Sequence, residues 1–321
     1  MNGYWPDVTK NVRLLHSFSL KRFTITDFCI IIAIIDKWNF VIINNTDKIM
    51  AKTIFITGAS RGFGRIWTEA FLERGDNIVA AVRKPETLTE LSKAFPSNLL
   101  VLKLDVTDKQ ASFQAIETAK AHFGRIDVLI NNAGYGQIGA VEEVSEQEVR
   151  SQFETNVLGS LWTIQAVLPV MREQNSGHII QLSSALGLNT VTFMGLYSAT
   201  KFAIEGLTET LTAEVADFGI KVTLLQPGPY DTDFNGSDSL AVSEPIPVYD
   251  GMKKVFWEYA EAGDSGNPAA TVDALFALVD AENPPSRLIL GKIALPWVKQ
   301  TYEQRLKTWE SWEEVSVAAH G

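Results

Sequence analysis

The stretch TIFITGASRGFG, residues 53–64, joins an apolar run to a turn that contains three glycines. Residues 53–57 have the β-branched and aromatic composition of a buried strand, and a helical pattern over residues 62–74 begins inside the turn. Glycines let backbone N–H groups approach a diphosphate, and the helix N-terminus adds the positive end of its dipole. The stretch predicts a nucleotide-binding turn in a βαβ unit, with a glycine-rich turn that binds nothing as the alternative.

Outward from this turn, apolar runs and helical patterns alternate. Strands are predicted over residues 53–57, 77–82, 99–104, 126–130, 178–182, 221–226 and 287–290. Helices are predicted between them, the longest over residues 146–173 and 196–218. Strands that are apolar throughout and separated by amphipathic helices are typical of a parallel sheet covered on both faces. We predict an α/β fold: a doubly wound, Rossmann-like parallel sheet with helices on both faces, in a single domain.

The composition changes at Met50. We predict that residues 1–49 are an extension upstream of a natural start at Met50, or disordered; a membrane-surface anchor or partner-binding arm is the alternative. The apolar residues 28–35 are too few to span a bilayer, which takes about twenty residues. Residues 50–321 are predicted to be the Rossmann-like domain, with a substrate loop or lid over about 229–265.

The net charge is −10, from 38 acidic and 28 basic side chains. An acidic chain without a long basic run is a poor candidate for binding nucleic acid or an anionic membrane. The one cysteine, Cys29, excludes a disulfide framework and a cysteine-based metal cluster, and the four histidines lack ligand spacing. We predict no metal site, no membrane span, and a reducing, cytoplasmic compartment.

The end of the second predicted strand indicates which dinucleotide the turn would bind. Sites for NAD place an acidic residue about twenty residues after the glycines, on the ribose 2′-hydroxyl. Here Val82 and Arg83 stand at that place, and Arg61 lies inside the glycine turn. Two guanidinium groups can bind a 2′-phosphate, which a carboxylate would repel. We predict NADP(H) over NAD(H); alternatively, Arg83 and Lys84 are only solvated residues that precede a helix.

Polar residues end the third and fourth predicted strands. Asp105-Val106 follows the third, where a carboxylate could accept a hydrogen bond from the adenine amino group. Asn131-Asn132-Ala133-Gly134 ends the fourth. Buried amides at strand ends usually tie loops together, so structural and cofactor-facing roles are both open for the two asparagines.

Tyr197 and Lys201 stand four residues apart in a predicted helix and therefore share one face. A phenol is a poor base at neutral pH, and a neighbouring ammonium group should lower its pKa toward the working range. Ser184 follows the preceding strand, and Asn156 interrupts the apolar stripe of the helix before it. Because ligands of open α/β folds bind at the carboxyl edge of the sheet, these residues predict a catalytic site beside the glycine turn.

In these motifs the chain resembles the short-chain dehydrogenase/reductase family, in its shorter single-domain branch. The matching residues, in family order, are Thr57-Gly58-(x)3-Gly62-x-Gly64, Asp105, Asn131-Asn132-Ala133-Gly134, Asn156, Ser184, Tyr197-(x)3-Lys201 and Pro227-Gly228-(x)3-Thr232. Less specific matches, at Gly62-Phe63-Gly64-Arg65 and Asn132-Ala133-Gly134-Tyr135-Gly136, are similar to the branch with 17β-hydroxysteroid and retinol dehydrogenase-like members.

The resemblance implies an oxidoreductase that interconverts an alcohol and a ketone or aldehyde by hydride transfer, without a metal. Tyr197 would exchange the proton on the substrate oxygen, assisted by Lys201, while Ser184 would bind that oxygen and Asn156 would hold a water that links Lys201 to solvent. Cofactor contacts are predicted for Gly58, Ser60, Arg61, Gly62, Phe63, Gly64, Arg83, Asp105, Val106, Asn132, Ala133, Gly134, Tyr197, Lys201, Pro227, Gly228 and Thr232. The resemblance also implies a homodimer or homotetramer, paired through the two long helices.

The predicted substrate is a small hydrophobic alcohol or carbonyl compound. Pocket walls are expected from Leu186, Leu188, Val191, Phe193, Met194, Tyr230, Phe234, Tyr249, Phe256 and Trp257, unless most of these aromatics form the core of the lid. Asp231 departs from the family pattern, since it puts a carboxylate close to the expected diphosphate. Ser183 is the residue most easily confused with Ser184, whose spacing to Tyr197 is the usual one.

Two other functions are alternatives to this one. A non-catalytic NADP(H)-binding sensor would be expected to lack the tyrosine or the lysine. Epimerase or dehydratase chemistry on nucleotide sugars usually comes with a differently spaced glycine loop and a larger C-terminal domain. A tail that is helical over residues 296–315, with Trp297, Trp309 and Trp312, could serve as a contact surface alongside catalysis.

Overall fold

Nine strands lie within residues 51–232 and 239–321, which are the residues that the computed structural model describes. They are β1 (Thr53–Thr57), β2 (Asn77–Val82), β3 (Leu99–Lys103), β4 (Val128–Asn131), β5 (Gly136–Ile138), β6 (Gly177–Leu182), β7 (Ile220–Pro227), β8 (Leu240–Val242) and β9 (Arg287–Leu290). Seven form a parallel sheet in the order β3-β2-β1-β4-β6-β7-β9, and β5 pairs with β8 in a second, two-stranded sheet.

Helices cover both faces of the large sheet. The α-helices of the described residues are α1 (Gly62–Arg74), α2 (Thr89–Ala94), α3 (Lys109–Phe123), α4 (Glu146–Phe153), α5 (Gly159–Gln174), α6 (Gly195–Val215), α7 (Asp250–Ala262), α8 (Thr271–Asp280), α9 (Ala294–Ser311) and α10 (Glu313–Ala318). Ile54 and Ile56 of β1 pack into one apolar cluster with α1, α2 and α8, whereas Phe55 packs into another with α3, α5 and α6. The predicted doubly wound, Rossmann-like fold is thereby confirmed, and residues 51–321 form one compact unit.

The sequence predicted the bounds of β1, α1, β2 and β9 as the structure has them. The fourth strand was predicted from Ile126 but begins at Val128, because the backbone N–H and C=O of Ile126 bond the Gln174 side chain, at 3.0 and 2.9 Å. The helix predicted over residues 146–173 is divided: α4 ends at Phe153, and a π-helical turn, Glu154–Leu158, precedes α5. The strands β5 and β8 were not predicted. The prediction for residues 1–49 lies outside the described residues.

The direction of strand addition changes between β1 and β4. From β1 the chain builds outward to β2 and β3, and from β4 it builds the other way to β6, β7 and β9. The loops that leave the carboxyl ends of the strands on either side of such a switch point diverge, which leaves a crevice between them. The glycine turn follows β1, Asn132 follows β4, Ser184 lies just after β6 and Gly228 follows β7. The topology therefore brings four of the predicted motifs to one edge of the sheet.

His178 lies at the opposite edge, in β6. It is 5% exposed, and its Nε2 lies 2.9 Å from the hydroxyl of Thr223. That hydroxyl donates its hydrogen to the carbonyl of Pro285 at 2.7 Å, so His178 Nε2 is the donor in the first bond. Burial lowers the pKa of His178 to about 4, with smaller contributions from Lys221 and Lys52. The neutral ring is therefore the form that the fold accommodates.

We expect the free energy of unfolding to decrease as the pH falls from about 6.5 to about 4, because in that window the unfolded chain binds a proton at His178 that the folded chain does not. Once His178 is fully protonated in the unfolded chain but not in the folded one, the free energy of unfolding is lower by about 3 kcal/mol. Urea unfolding at several pH values, for the parent and His178→Gln, measures the effect. Equal pH dependence in the two proteins would contradict it.

Candidate active site

The conformation of the glycine turn after β1 requires residues without a side chain at its glycine positions. Gly58 and Gly62 have φ angles of 68° and 51°, in the left-handed region that favours glycine. A Cβ on Gly64 would lie 2.3 Å from the carbonyl oxygen of Gly58, which is closer than atoms can approach. The amide of Asn132 donates to the carbonyls of Thr57 at 2.9 Å and Gly58 at 3.1 Å. The turn is held tightly, with its backbone toward the crevice.

The two asparagines at the end of β4, Asn131 in the strand and Asn132 directly after it, make different contacts. Asn131 is buried and bonds Ser160 and Gln181 with its amide nitrogen and Thr163 with its amide oxygen, so it ties β4 to α5 and β6. Asn132 holds the glycine turn and also lines the crevice. The sequence left both roles open for both residues. The structure shows structural contacts for Asn131 and Asn132, and only Asn132 also lines the crevice.

Tyr197, Lys201 and Ser184 converge on the wall of this crevice. Tyr197 and Lys201 lie on successive turns of α6, and the ammonium of Lys201 is 5.5 Å from the centroid of the Tyr197 ring. The Lys201 ammonium donates to the carbonyl of Leu182, at the end of β6, at 3.0 Å. The Tyr197 and Ser184 hydroxyls share a hydrogen bond. The hydroxyl of Ser183 is buried without a hydrogen-bond partner among the described residues, so Ser184 is the serine that the geometry pairs with Tyr197.

Asn156 lies in the π-helical turn and is 2% exposed. Its amide oxygen accepts from the N–H of Tyr135 at 3.0 Å. Its amide nitrogen donates to the carbonyl of Tyr135 at 2.9 Å and to the hydroxyl of Thr200 at 3.1 Å. A π-turn inserts an extra residue into a helix and redirects its side chains, which explains how a polar residue on an apolar stripe reaches these partners. Asn156 thus joins the loop before β5 to the helix that carries Tyr197 and Lys201.

Burial controls the charges of the pair on α6. It lowers the pKa of Lys201 to about 8, against which the carboxylate of Glu205 acts. Burial also raises the pKa of Tyr197, and the hydrogen bond from Ser184 offsets only part of that effect. The expectation that a neighbouring ammonium would lower the pKa of Tyr197 is therefore wrong for this structure, because desolvation of the phenolate is the larger effect.

Glu205 was not among the site residues predicted from the sequence. It is 6% exposed, and its carboxylate accepts hydrogen bonds from the amide of Gln226, at 2.9 and 3.0 Å. The same carboxylate forms an ion pair with Arg287. It follows Lys201 by four residues, so Tyr197, Lys201 and Glu205 occupy one face of α6 over three turns. That spacing was the signal in the sequence; the partners on β7 and β9 were not predictable from it.

A cavity of about 450 Å³ runs from the glycine turn to an apolar wall. Of the residues predicted from the sequence to bind cofactor or act in catalysis, those that line it are Gly58, Arg61, Gly62, Phe63, Asn132, Ala133, Gly134, Ser184, Tyr197, Lys201, Pro227, Gly228 and Thr232. Those that lie outside its described lining are Ser60, Gly64, Arg83, Asp105, Val106 and Asn156. The structure brings the first group together around one cavity.

The predicted residues outside the lining have other surroundings. Arg83 is exposed directly after β2, whose end adjoins the turn through a 2.9 Å bond from Gly58 N–H to the Ala81 carbonyl. The Asp105 carboxylate accepts from the backbone N–H and the hydroxyl of Thr107, at 3.1 and 2.8 Å. Val106 is buried and packs closely against Gly159, where an added Cβ would lie only 2.6 Å from the Val106 side chain. The side chain of Asp231, the departure from the family pattern, is exposed.

The far wall of the cavity is mainly apolar. Six residues predicted for this wall line the cavity, namely Leu186, Val191, Met194, Tyr230, Phe256 and Trp257. Leu188, Phe193 and Tyr249 were predicted there but lie outside the described lining, and Phe234 lies outside the described residues. Phe193 and Tyr249 belong to an apolar cluster behind the wall, which is the lid-core alternative. Trp297 of α9, expected on a contact surface of the tail, lines the cavity instead.

These residues fit a nicotinamide dinucleotide. The glycines of the turn and the start of α1 offer backbone donors and a positive dipole end to a diphosphate. The buried residues Lys201 and Tyr197 line the same cavity as the glycine turn. Within residues 51–232 and 239–321, no three His, Cys, Asp or Glu side chains are grouped as metal ligands. No helix in those ranges has the length and apolar character needed to cross a bilayer.

The chain belongs to the short-chain dehydrogenase family, whose model matches residues 52–242. It is 37% identical to oxidoreductase BOA17 of Botryotinia fuckeliana over 273 residues, which cover 84% of this chain and all of that protein. It is 38% identical to a 3-ketodihydrosphingosine reductase of Bacteroides thetaiotaomicron over 245 residues, 75% of this chain and 88% of that protein. The resemblance inferred from the motifs is confirmed, and the chain is an oxidoreductase of this family.

Solved structures agree with this assignment. A short-chain dehydrogenase from Streptomyces avermitilis superposes with a TM-score of 0.79 at 37% identity, and the match covers 84% of this chain and 98% of the other. A short-chain dehydrogenase from Burkholderia cenocepacia in complex with NADP gives a TM-score of 0.65 at 27% identity, covering 81% and 97% of the two chains.

We expect Asn156→Ala to lower the free energy of unfolding by about 3 kcal/mol, because three hydrogen bonds of a buried side chain are lost. The N–H of Tyr135 loses its partner, whereas the carbonyl of Tyr135 keeps the amide of Gln152 at 3.1 Å. Denaturant unfolding measures the change. Gln147→Ala, at an exposed position of α4, is the control and should change stability by less than about 0.5 kcal/mol. Equal, small effects of the two substitutions would contradict the tie between the loop and α6.

Proposed function

We propose that the protein is an NADP(H)-dependent oxidoreductase that interconverts a hydrophobic alcohol and its ketone or aldehyde, with Tyr197 as general acid and base. One observation carries the proposal. Tyr197, Lys201 and Ser184 meet in the wall of a cavity that has a diphosphate-type glycine turn at one end and an apolar wall at the other. A dinucleotide held at the turn and an apolar substrate held at the wall would bring their reacting ends together at Tyr197.

The bound nicotinamide would supply or accept the hydride at the carbonyl carbon. In the reducing direction, the Tyr197 hydroxyl gives its proton to the substrate oxygen, which Ser184 holds by a second hydrogen bond. Because burial keeps Tyr197 protonated, the residue is prepared to act as an acid. Lys201 has a pKa of about 8, so it is charged at neutral pH and stabilises the phenolate that remains. We assign to Asn156 the holding of a water through which Lys201 exchanges protons with solvent.

The preference for NADP(H) rests on the two arginines. Arg61 lines the cavity beside Gly62, and Arg83 follows the end of β2, next to the turn. Val82 and Arg83 stand where an NAD site has a carboxylate for the ribose hydroxyl. A pair of guanidinium groups suits the 2′-phosphate that distinguishes NADP. The complex of the Burkholderia cenocepacia relative with NADP supports the same choice.

An apolar substrate follows from the far wall. Leu186, Val191, Met194, Phe256 and Trp257 present aliphatic and aromatic surface to the cavity, with few polar groups beyond Ser184 and Tyr197. Such a wall favours a hydrocarbon body with one reacting oxygen over a sugar. The relative that carries the name 3-ketodihydrosphingosine reductase supports a ketone with a hydrophobic body.

The setting of the enzyme is part of the same proposal. We assign a homodimer or homotetramer paired through α4–α5 and α6, whose exposed apolar side chains include Val149, Phe202 and Leu207. We also assign a cytoplasmic location, and the Rossmann-like domain to residues 50–321 with the substrate loop over about 229–265. Asp105 and Val106 would contact the adenine.

We expect the parent protein to bind NADPH and to reduce members of a panel of aliphatic, aromatic and steroid ketones. Tyr197→Phe should lower kcat roughly 10²- to 10⁴-fold while NADPH binding is retained, because only the acidic hydroxyl is removed. Tyr230→Phe, in another tyrosine that lines the cavity, is the matched control and should keep most activity. Binding without turnover of any ketone would favour the sensor alternative, and a failure to bind either nucleotide would refute the proposal.

We expect Arg83→Ala to weaken NADPH binding roughly 10- to 100-fold, because a charge-assisted pair with the 2′-phosphate is lost. NADH lacks that phosphate, so its Kd should stay the same. Lys84→Ala, at the neighbouring exposed cation, is the control and should change neither constant. Fluorescence titration with both nucleotides gives the ratio of the two Kd values. An unchanged ratio in Arg83→Ala would remove the basis for the NADP(H) preference.

A further inference from the structure

Behind the apolar wall lies a carboxylate that the proposed chemistry does not use. The side chain of Glu143, in the loop after β5, is 0% exposed. Its two oxygens accept from the N–H of Ala140, the N–H of Ile246 and the ammonium of Lys253, each at 2.7 Å. Lys253 belongs to α7 and is itself 9% exposed. One buried carboxylate therefore binds its own loop, the segment that leads into α7, and α7 itself.

The ion pair is the main anchor of α7. Among the described side chains of that helix, only Lys253 is buried, while Met252, Val255 and Tyr259 are 54%, 49% and 77% exposed. Phe256 and Trp257 follow Lys253 by three and four residues, so they share its face of the helix and reach the cavity from there. The position of these two aromatic rings in the cavity wall therefore depends on where Lys253 is held.

Phe193 completes the anchor. Its φ of 66° is rare for a bulky residue and persists only where surrounding contacts fix it. Its ring packs edge-on against Phe256, with centroids 5.7 Å apart, and lies 6.0 Å from the Lys253 ammonium. Phe193 and Phe256 share their apolar cluster with Tyr197. Through this cluster, α7 is in packing contact with the region around Tyr197.

The charge on Glu143 is stable. Burial opposes ionisation, but the hydrogen bonds from Ile246, Lys253 and Ala140 outweigh it and lower the pKa of Glu143 to about 2. A buried ion pair is directional, and when it loses one partner the other is left as an uncompensated buried charge. The ion pair therefore restricts α7 to the position in which Lys253 reaches Glu143. Apolar packing alone is not directional and would let the helix shift.

We propose that Glu143 and Lys253 are positioning residues that fix α7 so that Phe256 and Trp257 close the pocket over the apolar body of the substrate, and that the pair thereby sets specificity for bulky substrates. This inference rests on the proposed oxidoreductase function. The pair touches neither the reacting atoms nor the glycine turn, so its loss should affect binding of large substrates and leave the chemical step and nucleotide binding in place.

Two variants test the proposal. Lys253→Met removes the cation and keeps the length of the side chain, and the double variant Glu143→Gln with Lys253→Met also removes the buried charge, should the single one fold poorly. Lys254→Met, at the exposed neighbour on α7, is the matched control. Hydrogen exchange of the α7 amides reports the anchor without any substrate, and we expect exchange to accelerate roughly tenfold or more in the variants but not in the control.

Steady-state kinetics with NADPH and a small and a bulky apolar ketone test the specificity. We expect KM for the bulky ketone to rise roughly tenfold, while KM and kcat for the small ketone and the Kd for NADPH stay close to the parent values. Unchanged exchange in α7 would overturn the anchor, and equal losses with both ketones would overturn the specificity role. A parent that reduces no ketone would refute the proposed function and the specificity role together, and the exchange data would still decide whether the pair anchors α7.

Discussion

The close approach of Gly64 to the carbonyl of Gly58 is the constraint on which the rest of the site depends. No side chain fits between them, and the amide of Asn132 occupies the remaining space by bonding the carbonyls of Thr57 and Gly58. The hydroxyl of Thr57 in turn accepts from the N–H groups of Asn132 and Ala133, each at 3.0 Å. The ends of β1 and β4 are thus bonded at the point where the strand order reverses, and the crevice opens beside that joint.

The same edge of the sheet also receives α6, which carries buried charge. Lys201 is held by a backbone carbonyl of β6, and Glu205 by Gln226 of β7 and Arg287 of β9. A lysine buried without such partners would lose its charge, and the carboxylate one turn away acts against that loss. The helix therefore supplies a cation beside Tyr197 only because three neighbouring strands supply acceptors and donors. The charge beside Tyr197 therefore depends on the order of the strands in the sheet.

Much of this could be predicted from the sequence, and the reason is local. The glycine turn, the apolar strands and the pair Tyr197–Lys201 are defined by spacings of a few residues, so their elements and their common edge followed from periodicity and topology. What could not be predicted depends on contacts between distant segments. The π-turn at Asn156 serves partners before β5 and on α6, and the short strands β5 and β8 pair across about a hundred residues. The direction of the Tyr197 pKa shift depends on burial, which spacing does not report.

The division of labour around the cavity follows from this distinction. The end that would bind a dinucleotide consists of strand ends and backbone, so its shape is fixed by sheet geometry and by missing side chains. The apolar end consists of side chains from α7, α9 and the loop before α6, none of which belongs to the large sheet. Elements outside the sheet need anchors of their own, and α7 has a buried ion pair where a sheet helix has an apolar face. Substitutions at the glycine-turn end should therefore act by changing the backbone. Substitutions at the apolar end should act by changing the position of the side chains in the wall.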